Sequence, residues 1–131
     1  MSESIFTKII NGEIPSFKIY EDEFTYAFLD IHPVQPGHVL VVPKQEVKYV
    51  WDLEDDQYAK LMVSVKKVAK RIKEVINPAY VGIKVEGTDV PHAHVHVIPF
   101  STAAEFSRKV DKSLPQDNKK LEETASRLQF S

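Results

Sequence analysis

The sequence predicts an α+β fold, with a five-stranded, mostly antiparallel sheet, one long helix and one short helix. Three observations carry this. Between Glu54 and Ile76 the apolar residues Leu61, Val65, Val68, Ile72 and Val75 recur every three or four positions, the spacing of one helix face. Five shorter runs are rich in β-branched and aromatic residues and are bounded by turn formers. The links between them are hairpin-length except where the long helix intervenes, so most strands are expected to pair antiparallel.

In chain order, Ile5, Phe6, Ile9 and Ile10 have helical spacing, and Asn11-Gly12 stops that short helix with a residue suited to a left-handed cap. Lys18–Glu21 and Phe24–Leu29 read as strands joined by a tight turn. Pro33-Val34-Gln35-Pro36-Gly37 is a rigid loop, and His32 beside it is expected in solvent. His38 opens an apolar strand through Val42 that Pro43 closes. Asn77-Pro78 ends the long helix, whose other face carries Lys66, Lys67, Lys70, Arg71 and Lys73 and reads as solvated. Tyr80–Glu86 is a strand, Gly87-Thr88-Asp89 a loop, and Pro91–Ile98 the last strand, closed by Pro99. The tail from Ser101 is polar, with a short helix expected at Leu121–Leu128.

The chain has 131 residues, 43% hydrophobic and 27% charged, a mix suited to one globular domain. No apolar run reaches the length of about 18 residues that a membrane-spanning helix needs. Met1-Ser2-Glu3-Ser4 lacks the basic-then-apolar pattern of a secretory signal, and there is no cysteine, so a cytoplasmic location is expected. A net charge of −2 gives no broad basic field for polymeric nucleic acid.

The chemistry concentrates in His92-Ala93-His94-Val95-His96. On a strand these three imidazoles share one face, about 6–7 Å apart, while Ala93, Val95 and Val97 pack on the other. Imidazole is a nucleophile and a proton carrier near neutral pH, and as imidazolium it donates to phosphate oxygens. Phosphoryl or nucleotidyl transfer fits such a row, because positioning and charge stabilisation carry most of that catalysis. A catalytic metal site is the rival, although a straight row converges poorly on one ion. A structural or pH-sensing cluster is the third reading. His38 reads either as a satisfied strand-end residue or as support for the row from a neighbouring strand.

The run His92-Ala93-His94-Val95-His96-Val97-Ile98 resembles the His-φ-His-φ-His-φ-φ signature of the histidine triad (HIT) superfamily, φ being apolar. Ser4–Ile10 with Glu13-Ile14-Pro15, Phe28-Leu29-Asp30-Ile31, and Pro36-Gly37-His38 through Pro43-Lys44 are similar to its opening helix and central strands. The likeness spans about residues 4 to 100 and points to the Hint-like branch. It implies a HIT domain over residues 1–110, a C-terminal tail over 111–131, and a homodimer in which two sheets join. It also implies hydrolysis of purine nucleoside phosphoramidates or related mononucleotide conjugates, releasing AMP or a similar mononucleotide. In that scheme His94 attacks the α-phosphorus and a nucleotidyl-histidine forms. His96 holds a non-bridging oxygen, while His92 and His38 orient and polarise the site. Asp30 accepts the ribose hydroxyls, and Ile5, Phe6, Ile9, Phe28, Leu29 and Ile31 line the base pocket.

Two departures stand out. Many relatives carry Cys-x-x-Cys where this chain has Ser4 and Thr7, with a histidine near the position of Glu46. No structural zinc is expected here, nor any other metal or cofactor. Relatives also place an Asn or Gln on the strand before the triad, followed by a longer Gly-rich loop. Here Lys84 replaces the amide, and Thr88 and Asp89 follow in a shorter loop. These three are expected at the nucleotide, and they put the leaving-group contacts in question. The alternatives are a dinucleoside polyphosphate hydrolase or nucleotidyl transferase, a non-catalytic nucleotide-binding adaptor, and a metal-dependent enzyme. The expected partners are a small purine nucleotide and a second copy of the chain, with no nucleic acid and no membrane.

Overall fold

The computed structural model describes residues 3–86 and 88–130. Its elements are α1 (Ile5–Ile10), β1 (Lys18–Glu21), β2 (Thr25–Leu29), β3 (Val39–Pro43), a 3-10 turn (Val50–Asp52), α2 (Asp55–Val75), β4 (Tyr80–Val85), β5 (Val95–Phe100), α3 (Ala103–Ser107) and α4 (Asn118–Leu128). The sheet order is β1-β2-β3-β5-β4, with every neighbouring pair antiparallel. The α+β expectation therefore holds. α2 is the long connection: it carries the chain from β3, across one face of the sheet, to the far edge at β4.

The sheet divides two apolar layers. On one face Ala27, Leu29, Val39, Val41, Val95 and Val97 pack against Leu61, Val65, Val68 and Ile72 of α2. Leu121, Ala125 and Leu128 of α4 join that same core, so the apolar face of the tail helix belongs to the domain's packing. On the other face a smaller cluster gathers Phe6 and Ile9 of α1 with Tyr26, Phe28, Leu40 and Val42. Alternate residues of β2 and β3 thus serve opposite layers, as strand periodicity requires.

Several boundaries differ from the sequence reading. β5 does not begin at Pro91. The Ala93 N–H donates to the Val47 carbonyl at 2.7 Å, so this stretch pairs with the loop after β3 before the strand ladder starts at Val95. Nor does Pro99 close it. Pro99 pairs with Val81 of β4, while the ladder to β3 ends at Val97, so the missing N–H faces no strand on that side. Pro43 is likewise the last residue of β3 rather than its terminator. Helix α3 had no periodic signal in the sequence, and α4 begins at Asn118, capped by the Asp117 side chain, which accepts from the Lys120 N–H. The expected loop residue Gly87 lies outside the described residues. Among the described residues no helix is long and apolar enough to cross a membrane.

Two glycines permit close approaches beside the histidine cluster. Gly82 lacks a Cβ where the Phe106 ring of α3 sits, 2.7 Å from the place a Cβ would take, and this lets α3 lie on β4. Gly37 has φ of +97° just before His38, and a Cβ there would collide with the Ile76 side chain and lie 3.3 Å from Pro99. Gly37→Ala is expected to destabilise the fold by about 1–3 kcal/mol, the usual range for a forced backbone conformation. Urea denaturation of the two proteins measures it.

Candidate active site

The site forms where α1, the end of β2, the start of β3 and the approach to β5 meet. Its frame is a turn: Asp30 Oδ1 accepts the His32 N–H at 2.9 Å, and the Asp30 N–H donates to the His38 carbonyl at 3.0 Å. The His38 N–H donates to the Gln35 carbonyl at 3.0 Å, which closes the proline loop back on itself. His38 is thereby buried at 2% exposure beneath Asp30.

The hydrogen bonds assign a proton position to every ring in the cluster. The Val34 N–H lies 3.0 Å from His38 Nδ1, and an amide can only donate, so this Nδ1 accepts. The proton of neutral His38 is then on Nε2, 2.9 Å from His96 Nδ1, which accepts it. His96 in turn carries its proton on Nε2. His94 donates from Nδ1 to the His92 carbonyl at 2.8 Å, so the lone pair of neutral His94 is on Nε2. His92 donates from Nε2 to the Pro43 carbonyl at 2.8 Å and accepts on Nδ1, where Ser4 Oγ lies at 2.7 Å. No buried side-chain nitrogen or oxygen among the described residues lacks a partner, so His94 Nε2, which has no protein partner there, opens to solvent.

Burial favours the neutral form of His38, His96 and His92. His38 is lowered to about 3, by burial first and then by the neighbouring charges of His96, Lys84 and His94. His96 is lowered to about 4 by burial, His94 and Lys84, against a backbone bond at Glu86. His92 is also lowered by burial, with the Pro43 carbonyl and Glu46 opposing. Asp30 is raised by burial, against the His32 N–H and the charges of Lys112, His32 and His94.

The three histidines do not form one row on a strand. Only His96 lies in β5; His92 and His94 sit in the irregular stretch before it. His94 and His96 remain neighbours, with ring centroids 5.0 Å apart, while His92 is fully buried behind them. The rings do not converge on one ion. The convergent donors are instead Asp30, His38 and His96, whose ligand atoms lie within 4.8 Å of one another. The nitrogens of that set are committed to each other through the His38–His96 hydrogen bond, so a metal would have to break it.

Two cavities meet at His94 and His96. The first, about 250 Å³, is mostly apolar and is lined by the expected Ile5, Phe6, Ile9, Phe28, Leu29, Asp30 and Ile31. The Phe6 ring stands edge-on to His94, centroids 5.0 Å apart. Ile5 and Ile31 are exposed at its rim. The second, about 430 Å³, is polar and takes in the expected Lys84, Thr88, Asp89 and His38. Lys84 is paired across the ladder with His96 and so shares its face of the sheet. His92 lines neither cavity. His32 is half-buried and lines both, with its Nε2 3.1 Å from the Leu114 carbonyl, contrary to the expectation of a solvent residue.

Some lining residues carried no sequence signal. Arg108, Lys109 and Lys112 reach the polar cavity from the tail, where Arg108 donates to the Val34 carbonyl and Lys112 pairs with Asp89. Leu40 and Val90 complete the apolar cavity. The Val34 N–H that fixes His38 is a backbone group, invisible to side-chain motifs.

Comparison with known proteins gives the family. Residues 11–103 match the HIT domain family model, and the chain belongs to the HIT family. An uncharacterised HIT-like protein of Borreliella burgdorferi is 33% identical over 100% of this chain and 99% of its own length. The adenosine 5'-monophosphoramidase HNT1 of Saccharomyces cerevisiae is 41% identical over 72% of this chain and 61% of that protein. A HIT-like protein of Bartonella henselae, described as involved in cell-cycle regulation and crystallised with an unknown ligand, superposes with a TM-score of 0.83 at 30% identity, covering 96% of this chain and 94% of its own.

The depressed imidazoles set a pH dependence. Their folded values lie below the ordinary imidazole value of about 6.5, so the unfolded chain binds protons first as pH falls. The stability contributed by neutral His38 and His96 is whole above that value and is lost as pH drops toward about 4 and about 3. Melting temperature measured from about pH 8 to about pH 4 should fall on the acid side, and fall less steeply in His38→Gln.

Proposed function

We propose that this chain hydrolyses the α-phosphate linkage of purine nucleoside phosphoramidates or related mononucleotide conjugates, with His94 as nucleophile. The observation that carries this reading is the Nε2 of His94, unpartnered among the described residues, at the junction of an apolar cavity and a polar one. The base enters among Phe6, Ile9, Phe28 and Leu29, with Ile5 and Ile31 at the rim. The Asp30 carboxylate accepts the ribose hydroxyls. The α-phosphate then lies against His94 and His96. The His94 lone pair forms a bond to phosphorus as the bond to the leaving group breaks, and the departing nitrogen takes up a proton from solvent, which the later attack of water restores. His96 donates from Nε2 to a non-bridging oxygen. His38 holds His96 in that tautomer and His92 holds His94. Water then attacks the nucleotidyl-histidine, frees the mononucleotide and returns the lone pair to His94. The name of the yeast relative supports the substrate class.

His94→Ala is expected to reduce turnover of adenosine phosphoramidate by about a thousand-fold or more, as removal of a covalent nucleophile does. Binding of AMP, followed by calorimetry, should survive. Undiminished turnover in the variant would remove His94 from the role. AMP binding with no turnover of any conjugate, even by the unaltered protein, would favour an adaptor.

One observation favours a second reading of the leaving group. Lys84, Arg108, Lys109 and Lys112 border the polar cavity, with Lys112 already paired to Asp89. Lys84 is half-buried beside His96 and His38 and has no carboxylate partner among the described residues. Such a cavity suits an anionic leaving group, as in a dinucleoside polyphosphate or a nucleotidyl transfer. Lys84→Met should then lower kcat/KM for a polyphosphate conjugate about tenfold or more, the worth of one charge-assisted contact. Hydrolysis of the phosphoramidate, which releases an amine, should change little. Equal losses on both substrates would place Lys84 at the α-phosphate instead.

We also infer a cytoplasmic homodimer joined along β4. This strand is the sheet's edge and leaves Tyr80, Ile83 and Val85 exposed. An uncovered apolar edge strand is suited to pairing with a second chain. Ile83→Asp is expected to shift the protein to monomer in analytical ultracentrifugation, whereas a monomeric unaltered protein would contradict the dimer.

A further inference from the structure

We infer that Glu46 and Ser4 are positioning residues for His94, acting through a metal-free clasp that ties α1 to the approach of β5. The inference rests on His94 being the nucleophile, as proposed above. Ser4 caps α1, its Oγ accepting the Thr7 N–H at 3.0 Å. The Ser4 N–H donates to Glu46 Oε1 at 2.7 Å, and the Thr7 hydroxyl donates to the same oxygen at 2.6 Å. The Ser4 hydroxyl hydrogen is left for His92 Nδ1, 2.7 Å away, because the His92 Nε2 proton is engaged by the Pro43 carbonyl. The His92 carbonyl takes the Nδ1 proton of His94. Three hydrogen bonds, linked through the covalent frames of Ser4 and His92, therefore tie Glu46 to His94.

Each link has one direction. A carboxylate only accepts, a backbone amide only donates, and the Pro43 carbonyl only accepts. Pro43 fixes the His92 proton on Nε2 and so turns the Ser4 hydroxyl toward Nδ1. The His92 carbonyl fixes the His94 proton on Nδ1 and leaves its lone pair on Nε2, so the clasp acts on His94 by holding that carbonyl in place. The clasp also holds α1, whose Phe6 stands against both His92 and His94 at ring-centroid distances of 5.7 and 5.0 Å. Loss of Glu46 would loosen the wall of the apolar cavity and the ring that attacks.

Ser4, Thr7 and Glu46 stand where many relatives have two cysteines and a histidine, a donor set suited to zinc. The set here does not fit that ion. It offers one imidazole nitrogen and one carboxylate, and the remaining two atoms are neutral hydroxyls whose protons are already committed. Hydrogen bonds do in this chain what a metal would do with thiolates: they join two distant segments around His92.

The test uses the full chain labelled with ¹⁵N-histidine. Long-range ¹⁵N–¹H correlation should give the unaltered protein one tautomer each, protonated at Nε2 for His92 and at Nδ1 for His94. Glu46→Ala and Ser4→Ala should mix the His94 tautomers and lower kcat about tenfold, a loss typical of removing a partner that orients a functional imidazole, with KM moving less. Glu46→Gln should restore both readouts, because its amide oxygen accepts the same two bonds. Added zinc should leave the spectrum and melting temperature of the unaltered protein unchanged. Ser4→Cys/Thr7→Cys/Glu46→His should bind one zinc and melt higher with it. An unchanged His94 spectrum in well-folded Glu46→Ala and Ser4→Ala would overturn the inference. So would stoichiometric zinc on the unaltered protein that Ser4→Ala releases. The spectra need no substrate, so a protein that turns over no nucleotide refutes the proposed reaction while the tautomers still decide the clasp.

Discussion

An amide N–H can only donate, and the Val34 N–H points at His38 Nδ1. From that contact the protonation of His38 and then of His96 is fixed, each ring accepting from the one before it. In a second set of bonds, Pro43 and Ser4 do the same for His92, and the His92 backbone carbonyl does it for His94. The two sets end on complementary atoms: a lone pair on His94 and an N–H on His96. Adjacent imidazoles that could each take two tautomers are thus reduced to one arrangement. Burial sustains it at His38 and His96, where protonating Nδ1 would break the hydrogen bond it accepts and cost desolvation.

The fold supplies what this arrangement needs. The sheet keeps its largest core on the face away from the site, where α2 and α4 cover Val39, Val41, Val95 and Val97. The other face is covered only in part, by α1 and by α3 on β4, and the cavities lie between them. The chain passes the site repeatedly, at α1, at the end of β2, in the proline loop, on β4 and before β5. Each passage is short and anchored at both ends, by Gly37 against Ile76 and by Gly82 under Phe106 among others. Remote packing thereby holds the polar groups of the site in place.

Much of the fold was legible because the core imposes simple periods. The apolar, β-rich runs of β2 and β3 and the stripe of α2 came through as Leu29, Val39, Val41, Leu61, Val65 and Ile72. The apolar wall of the site was legible too, since Phe6, Ile9, Phe28 and Leu29 belong to recognisable motifs. Other features were not. Pro91 to His94 reads as strand, yet its amide at Ala93 is taken by Val47, a residue of another loop. Pro99 reads as a stop, yet it lies where the ladder to β3 has already ended. The tail's cations sit in a polar stretch with no period, and only the docking of α3 and α4 brings them to the polar cavity.

The sequence by itself determined the side chains available for the chemistry and the family that uses them. Three histidines two apart, a carboxylate after a central strand, and the absence of cysteine are local facts, written in residue identity and spacing. The tertiary structure alone decided which nitrogen of each imidazole is free. That depends on backbone groups of Val34, Pro43 and His92, and on Ser4, which is 88 positions from the ring it serves. A tautomer is set by whichever donor or acceptor lies within hydrogen-bond reach, and reach across such separations exists only once the sheet has formed.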